Sequence, residues 1–242
     1  MDLLIRKKNE VYLKVEAEPH INYELADFFT FEVEQAKYMQ KQRRWKGWDG
    51  KIRLFSPATG EIYCGLLDYL MDWADEKGYR YKMEDCKYFG HPLEQNDFVT
   101  PQSVVGFVKS LGLPPALKVR DYQYKAIYEA LKYNRRLLLS PTASGKSLMI
   151  YALVRFHTNV DRNVLIVVPT TSLVEQMYKD FEEYGWMATK DCHKIYAGAE
   201  KYTDHQVVIT TWQSVYKEPR KWFDRFDVVI GDEAHLFKAK SL

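Results

Sequence analysis

Residues Leu137 to Ser147 read LLLSPTASGKS, a short apolar run, a loop of small residues and then Gly145, Lys146 and Ser147. The order predicts a strand over Leu137 to Leu139, a loop through Pro141, Thr142, Ala143, Ser144 and Gly145, and a helix opening near Lys146. Such a loop needs small side chains because its backbone N–H groups turn inward around phosphate oxygens, and a glycine at 145 admits the close approach that a β-carbon would block. Lys146 supplies a charge. Ser147 places a hydroxyl where Mg²⁺ would sit, and the helix directs the positive end of its dipole at the same anion. The stretch departs from G-x-x-x-x-G-K-[ST] at Ser140, which stands where the first glycine is expected.

A second stretch answers the first. Phe226 to Ile230 (FDVVI) reads as an apolar strand leading into Gly231, Asp232, Glu233, Ala234 and His235. An acid pair at the end of a buried strand suits phosphate chemistry: Asp232 can hold Mg²⁺ through water, and Glu233 can orient and deprotonate the water that attacks a γ-phosphate. Each motif alone also fits an ordinary loop. Together they predict nucleotide binding, because motif and context agree.

The chain of 242 residues is 46% hydrophobic, which suits a globular protein of two domains. No stretch approaches the roughly 20 apolar residues needed to span a bilayer. Met1 to Glu10 carries charges where a signal peptide would need an apolar run, so a soluble, untargeted protein without a membrane partner is expected. Cys64, Cys86 and Cys192 are widely spaced with no C-x-x-C pair, which argues against a disulfide framework and against a zinc site. The formal net charge of +2 names no partner by itself. Its distribution is more informative: between Lys37 and Arg53 stand Lys37, Lys41, Arg43, Arg44, Lys46, Lys51 and Arg53, opposed by Asp49 alone and interleaved with Tyr38, Trp45 and Trp48. Cations beside aromatics suit phosphate neutralisation with base stacking. A solvated charged loop anchored by its tryptophans is the competing reading, and Arg43, Arg44, Trp45, Lys46, Lys51 and Arg53 are the candidate contacts.

Residues 1–99 read as a small α+β module, with a linker at about 84–99, and residues 100–242 as a second domain. In the module, Leu3 to Ile5 and Val11 to Val15 form a hairpin, and a helix over Ile21 to Phe29 sets Ile21, Leu25 and Phe28 on one face. Lys51 to Phe55 and Glu61 to Cys64 form a second hairpin; a helix from Leu66 to Lys77 stops at Gly78, and Tyr79 to Met83 is the last strand. In the second domain, Thr100 and Pro101 start a helix that runs to Leu111, Asp121 caps one running to about Tyr133, and Ser172 caps another through Tyr184. Val164 to Val168 (VLIVV) has the unbroken β-branched character of a fully buried parallel strand. Lys194 to Tyr196 and Val207 to Thr210 are further strands. Alternating strands and helices imply an α/β, doubly wound parallel sheet of the RecA-like, P-loop NTPase kind, with ligands at the carboxyl ends of the strands.

From Arg120 onward the chain resembles the first motor domain of superfamily 2 helicases, and within them the phage recombination helicases. Arg120, Asp121, Tyr122 and Gln123 resemble the adenine-recognising element that precedes motif I, PTASGKS resembles motif I, and GDEAH resembles motif II. Val167 to Met177 (VVPTTSLVEQM) is similar to motif Ia, and Val207 to Val215 (VVITTWQSV) to motif Ic. The module is similar to its counterpart in the same helicases around Trp45 to Leu54 (WKGWDGKIRL), a narrower match. The resemblance implies ATP and Mg²⁺ as cofactors, with Gln123 reading the adenine edge and Arg120 near the base. Lys146, Asp232, Glu233 and His235 are then the catalytic group, with Ser147 and Asp232 toward the metal. Pro169, Thr170, Thr171, Thr210, Thr211 and Gln213 would line a track for one nucleic-acid backbone.

Implied partners are single-stranded and branched duplex DNA, or an RNA–DNA hybrid, and the implied setting is phage recombination, repair and replication in the cytoplasm of an infected host cell. The family's motifs III to VI and its second motor domain find no counterpart before Leu242. The expectation is therefore a chain that binds ATP with Mg²⁺ and hydrolyses it slowly, lacking the arginine that neutralises charge at the reacting phosphate. An RNA or RNA–DNA hybrid helicase, a non-unwinding translocase or clamp-loading component, and the motor subunit of a restriction enzyme stay open as alternatives.

Overall fold

The structure, a computed structural model, describes residues 1–9, 11–34, 36–41, 47–84, 96–133, 135–196 and 198–236. They fall into two units, Met1–Pro92 and Leu93–Leu242. No helix among the described residues is long and apolar enough to cross a membrane.

In the first unit, β1 (Leu3–Lys7) and β2 (Tyr12–Ala17) pair antiparallel around a turn set by Asn9, whose side-chain oxygen accepts from the N–H groups of Val11 and Tyr12. Along these strands Leu3, Ile5, Leu13 and Val15 are buried while Lys14 and Glu16 are exposed, so one face of the sheet is apolar. Helices α1 (Pro19–Phe28) and α3 (Leu67–Lys77) supply the covering layer through Ile21, Leu25, Leu67, Leu70 and Trp73. Between them lie β3 (Thr30–Glu32), α2 (Ala36–Gln40), β4 (Lys51–Arg53), β5 (Phe55–Ser56) and β6 (Glu61–Tyr63). β7 (Tyr81–Met83) follows α3, and the sheet order is β5-β6-β2-β1-β7.

Two expectations for this unit are corrected. The strand expected over Lys51 to Phe55 is split: β4 pairs with β3 as a separate two-stranded ribbon, while β5 pairs with β6. The break falls at Leu54, whose N–H bonds to Phe29 O and so hands the chain from one sheet to the other. Phe28, expected on the buried face of α1, is 45% exposed, and Phe29 at 2% fills the core instead. The helix ends there: Phe29 leaves helical geometry at φ −91°, ψ 22°, which turns its ring inward.

The second unit opens with α4 (Pro101–Ser110), where Thr100 and Ser103 bond reciprocally as a capping box. α5 (Asp121–Lys132) follows, and its cap differs from expectation. Asp121 is the first helical residue, and Arg120 precedes it with its N–H bonded to Gln123 Oε1 at 2.9 Å. Next come α6 (Lys146–Asn159), β8 (Val164–Val168), α7 (Thr171–Glu183), α8 (Ala188–Asp191), β9 (Cys192–Ile195) and β10 (Val207–Thr211). α9 (Trp212–Val215), α10 (Arg220–Phe223) and β11 (Val228–Gly231) complete it, with a 3-10 turn at Ala234–Leu236. Thr170, not Ser172, caps α7 by accepting from Leu173 N–H. The sheet is parallel throughout in the order β11-β8-β10-β9, and every residue of β8 and β10 is buried. That is the reason their sequences are unbroken apolar runs.

The strand expected over residues 137–139 does not form. Leu137 is 74% and Leu139 90% exposed. A strand exists by pairing its backbone groups with a neighbour. β11 pairs with β8 on one side, and no described strand pairs with its other edge. Leu137, Leu138 and Leu139 instead line a cavity of about 1630 Å³ that Val228, Val229, Ile230 and Gly231 also line, so the segment is left without a partner.

Candidate functional site

The loop before α6 is shaped by two left-handed residues, Ala143 at φ 61° and Gly145 at φ 78°. Alternating backbone hands of this kind turn successive N–H groups into one concavity. Behind the loop stands α5. Gln123 Nε2 donates to Ser144 O at 3.0 Å, Tyr122 Oη donates to the same oxygen at 2.9 Å, and the hydroxyls of Ser140 and Ser144 bond to one another. A β-carbon at 145 would push the Gln123 amide aside from its hydrogen bonds, and the positive φ favours glycine there. Gln123 is only 4% exposed, and both ends of its amide are engaged, the oxygen by Arg120 N–H and the nitrogen by Ser144 O. Arg120 Nη1 donates to Tyr122 Oη at 3.3 Å. The adenine-recognising candidates are thus gathered at the loop, and their hydrogen bonds in this structure brace it.

Because β11 lies beside β8 in a parallel sheet, the residues after both strands emerge on one edge. Asp232 N–H bonds to Val167 O at 2.9 Å and Glu233 N–H to Asp232 Oδ1 at 3.0 Å. Lys146 Nζ reaches across to pair with Glu233, and His235 Nδ1 lies 3.2 Å from the other Glu233 oxygen. Burial pushes the Asp232 acid above the ordinary carboxylate value against the pull of Lys146, while the Lys146 hydrogen bond holds Glu233 below it. Ser147 Oγ lies 2.8 Å from Tyr184 Oη. The residues expected from the two motifs, Lys146, Ser147, Asp232, Glu233 and His235, therefore occupy one strand-end region. Sequence reasoning placed Tyr122 within the element at 120–123 without giving it a role, and it missed Tyr184, whose contact arises from packing between helices and leaves no spacing signal.

The expected nucleic-acid track divides by exposure. Thr170, Thr171 and Gln213 are exposed; Pro169, Thr210 and Thr211 are buried. Thr210 Oγ1 donates to Ile195 O at 2.9 Å and Thr211 shares a hydrogen bond with Ser214 at 2.9 Å, so these hydroxyls are spent inside the protein. Gln213 Nε2 reaches Pro169 O at 3.4 Å, linking the two turns. In the first unit, Arg43, Arg44, Trp45 and Lys46 lie outside the described residues. Lys51 pairs with Glu32 at 3.5 Å, and Arg53 pairs with Asp49. Arg53, with the Lys51 N–H, draws the Asp49 carboxyl down to about 2. Trp48 Nε1 donates to Lys51 O at 3.0 Å and so ties the turn to the ribbon.

A parallel sheet with a phosphate-type loop ahead of α6 and an acid pair after β11 defines a RecA-like α/β domain. Residues 116–242 match the family described as Type III restriction enzyme, res subunit, and residues 2–84 match the family described as DNA helicase UvsW, N-terminal. Across its whole length the chain is 32% identical to the ATP-dependent DNA helicase uvsW of Enterobacteria phage T4, of which it covers 48%. It is 27% identical over 68% of its length to the DNA 3'-5' translocase XPB2 of Sulfurisphaera tokodaii, covering 36% of that protein. A crystal structure of the UvsW helicase from bacteriophage T4 superposes with a TM-score of 0.73 at 30% identity, covering 100% of this chain and 86% of that one. The chain belongs to the UvsW-like helicases of superfamily 2. It spans about half the length of the T4 relative.

Proposed function

We propose that the chain forms the ATP- and DNA-binding portion of an ATP-dependent DNA helicase or branch-migration motor, working in phage recombination, repair and replication in the cytoplasm of an infected cell. The observation that carries this reading is the convergence of Lys146 on Glu233, which sets the two halves of a phosphate site against each other. The residues fit a nucleotide with Mg²⁺: a loop with glycine in the left-handed region at 145, the Lys146 cation and the half-buried Asp232 acid stand together, and the Ser147 hydroxyl is next in the chain. In this reading the loop N–H groups and Lys146 hold the phosphates, and Ser147 with Asp232 hold the ion, which when bound supplies positive charge to the reacting phosphate. Lys146 exchanges Glu233 for phosphate on binding. Glu233 is thereby released to orient and deprotonate the attacking water. Exposed Thr170, Thr171 and Gln213 contact one DNA backbone, and the basic stretch of the N-terminal unit, with Lys51 and Arg53, contacts duplex or branched DNA.

Calorimetric titration of a non-hydrolysable ATP analogue tests the first half. Mg²⁺-dependent binding that disappears in Lys146→Ala supports it, and equal binding by both proteins removes it. Comparing affinities for single-stranded DNA, forked DNA and an RNA–DNA hybrid tests the second half. The similarity to XPB2, a DNA translocase, favours one further reading, movement along DNA without strand separation. Strand displacement by a full-length relative carrying this chain's residues separates the two.

A further inference from the structure

In the first unit β3 and β4 form a two-stranded ribbon apart from the five-stranded sheet. The ribbon is rooted in the core at its base: Phe29 precedes β3, Phe55 opens β5 beyond Leu54, both are buried, and Leu54 N–H bonds to Phe29 O at 2.9 Å. Its other end is tied as well. Val33 N–H bonds to Gly50 O at 2.9 Å, Gln40 Nε2 donates to Trp48 O at 3.0 Å, and Trp48 Nε1 donates to Lys51 O at 3.0 Å. A β-carbon at Gly50 would meet Ala36 Cβ, so α2 lies directly against the turn that enters β4.

The register gives the ribbon two unlike faces. Thr30 stands opposite Arg53 and Glu32 opposite Lys51, and on that face Lys51 and Glu32 answer one another as an ion pair. Successive side chains alternate, so Phe31 and Ile52, directly opposed, share the other face, and each is about half exposed. An aromatic and a β-branched side chain paired in water on a braced ribbon make an apolar edge that the core does not use. α2, packed on the same turn, exposes Lys37, Tyr38 and Lys41, with Lys41 Nζ 5.5 Å from the Tyr38 ring centroid. Neither lysine has an ion-pair partner among the described residues.

We infer that the Phe31–Ile52 pair is a wedge that packs against the base faces left uncovered where the strands of branched DNA part. The inference rests on the reading above that the N-terminal unit contacts duplex or branched DNA, and it adds a contact to bases that cations alone cannot make. Charge selects the occupant: free lysines beside an apolar edge suit a polyanion that also offers apolar faces. Within an intact duplex those faces are stacked, whereas a branch point leaves one open. Phe and Ile are among the side chains that DNA-binding proteins insert between base steps, unstacking them.

The test uses the 242-residue chain with a forked duplex carrying 2-aminopurine at the branch point and a matching unbranched duplex. The wild type should bind the fork more tightly and raise the 2-aminopurine fluorescence, which reports unstacking. Phe31→Thr/Ile52→Thr keeps strand-forming residues in the ribbon. It should lose the fluorescence rise and lower fork affinity by about 10-fold, the scale of a lost base-stacking contact. The slope of log K against log salt should stay unchanged, because no charge is removed. Either single threonine variant serves if the double one does not fold. Wild-type unstacking and affinity in the folded variants overturn the inference, and so does an equal loss on fork and unbranched duplex. A wild-type dimer that the threonine pair abolishes would assign the face to a second copy and overturn it too. If the wild type binds neither DNA, the DNA reading of the N-terminal unit falls; if it binds the fork without a fluorescence rise, that reading stands and this inference alone falls.

Discussion

The two units build their sheets in different ways. In the first, the strand pairs β1–β2 and β5–β6 are antiparallel hairpins between sequence neighbours, and the outermost strands, β5 and β7, are only two and three residues long. In the second, every pairing is parallel, with α7 and α8 between β8 and β9, α9 and α10 between β10 and β11, and no helix among the described residues between β9 and β10; β11 is bonded on one side among the described residues. Local pairing closes on itself; parallel pairing depends on partners far away in the chain. The first unit accordingly gathers its interior into one cluster around Trp73 and Leu70, whereas the second sets its candidate chemistry on the strand-end edge that its sheet creates.

If that contrast is right, the largest effect on stability comes from the single core of the first unit. Trp73→Ala should cost about 3–5 kcal/mol, read by denaturant unfolding, because the side chain is 2% exposed and packs on Phe28 and Tyr79. A loss under about 1 kcal/mol would show that the cluster repacks. Lys146→Ala probes the opposite property of the second unit. In a full-length relative carrying this chain's residues it should lower ATP turnover by on the order of 10²-fold while leaving the circular dichroism spectrum unchanged, since Lys146 serves charge rather than packing. Unchanged turnover would remove the phosphate role.

A smaller effect belongs to His157, in the last turn of α6, where burial pulls the imidazole down to about 4 from an ordinary value of 6.5. Between these values the unfolded chain binds the extra proton and the folded chain does not, so stability should fall as pH drops from about 6.5 to about 4 and be flat above. His157→Asn should flatten that slope in a pH series of thermal melts; an identical slope in both proteins would assign it to carboxylates. The smallest effect is expected at Val229→Lys on β11, within about 0.5 kcal/mol. A large loss there would mean that the exposed edge is covered in solution.

The same contrast explains what could be read in advance. The strands β8 and β10 were legible because complete burial writes an unbroken apolar run, and the helix end at Gly78 because that residue takes positive φ. That Lys146 and Glu233 stand in one region was legible from two motifs taken together, a phosphate-type loop ahead of α6 and an acid pair after β11. By contrast β3 is a three-residue strand whose partner lies about twenty residues on, too short for any periodicity to show. Leu137, Leu138 and Leu139 have strand composition without a described strand to pair with. Asp121 and Ser172 were good caps displaced by one or two residues, since Gln123 and Leu173 fix where each helix begins. Tyr184 reaches Ser147 only because two helices pack, which no local pattern records.

An extended backbone with unanswered amides is a template for another chain. Val228–Gly231 presents such an edge among the described residues, with Val229 64% exposed beside it. For anyone handling this polypeptide the consequence is practical: storage at high concentration should favour edge-to-edge association and slow loss from solution. Lysine at 229 would act as a gatekeeper, extending the shelf life of the sample without touching the residues assigned to nucleotide or DNA.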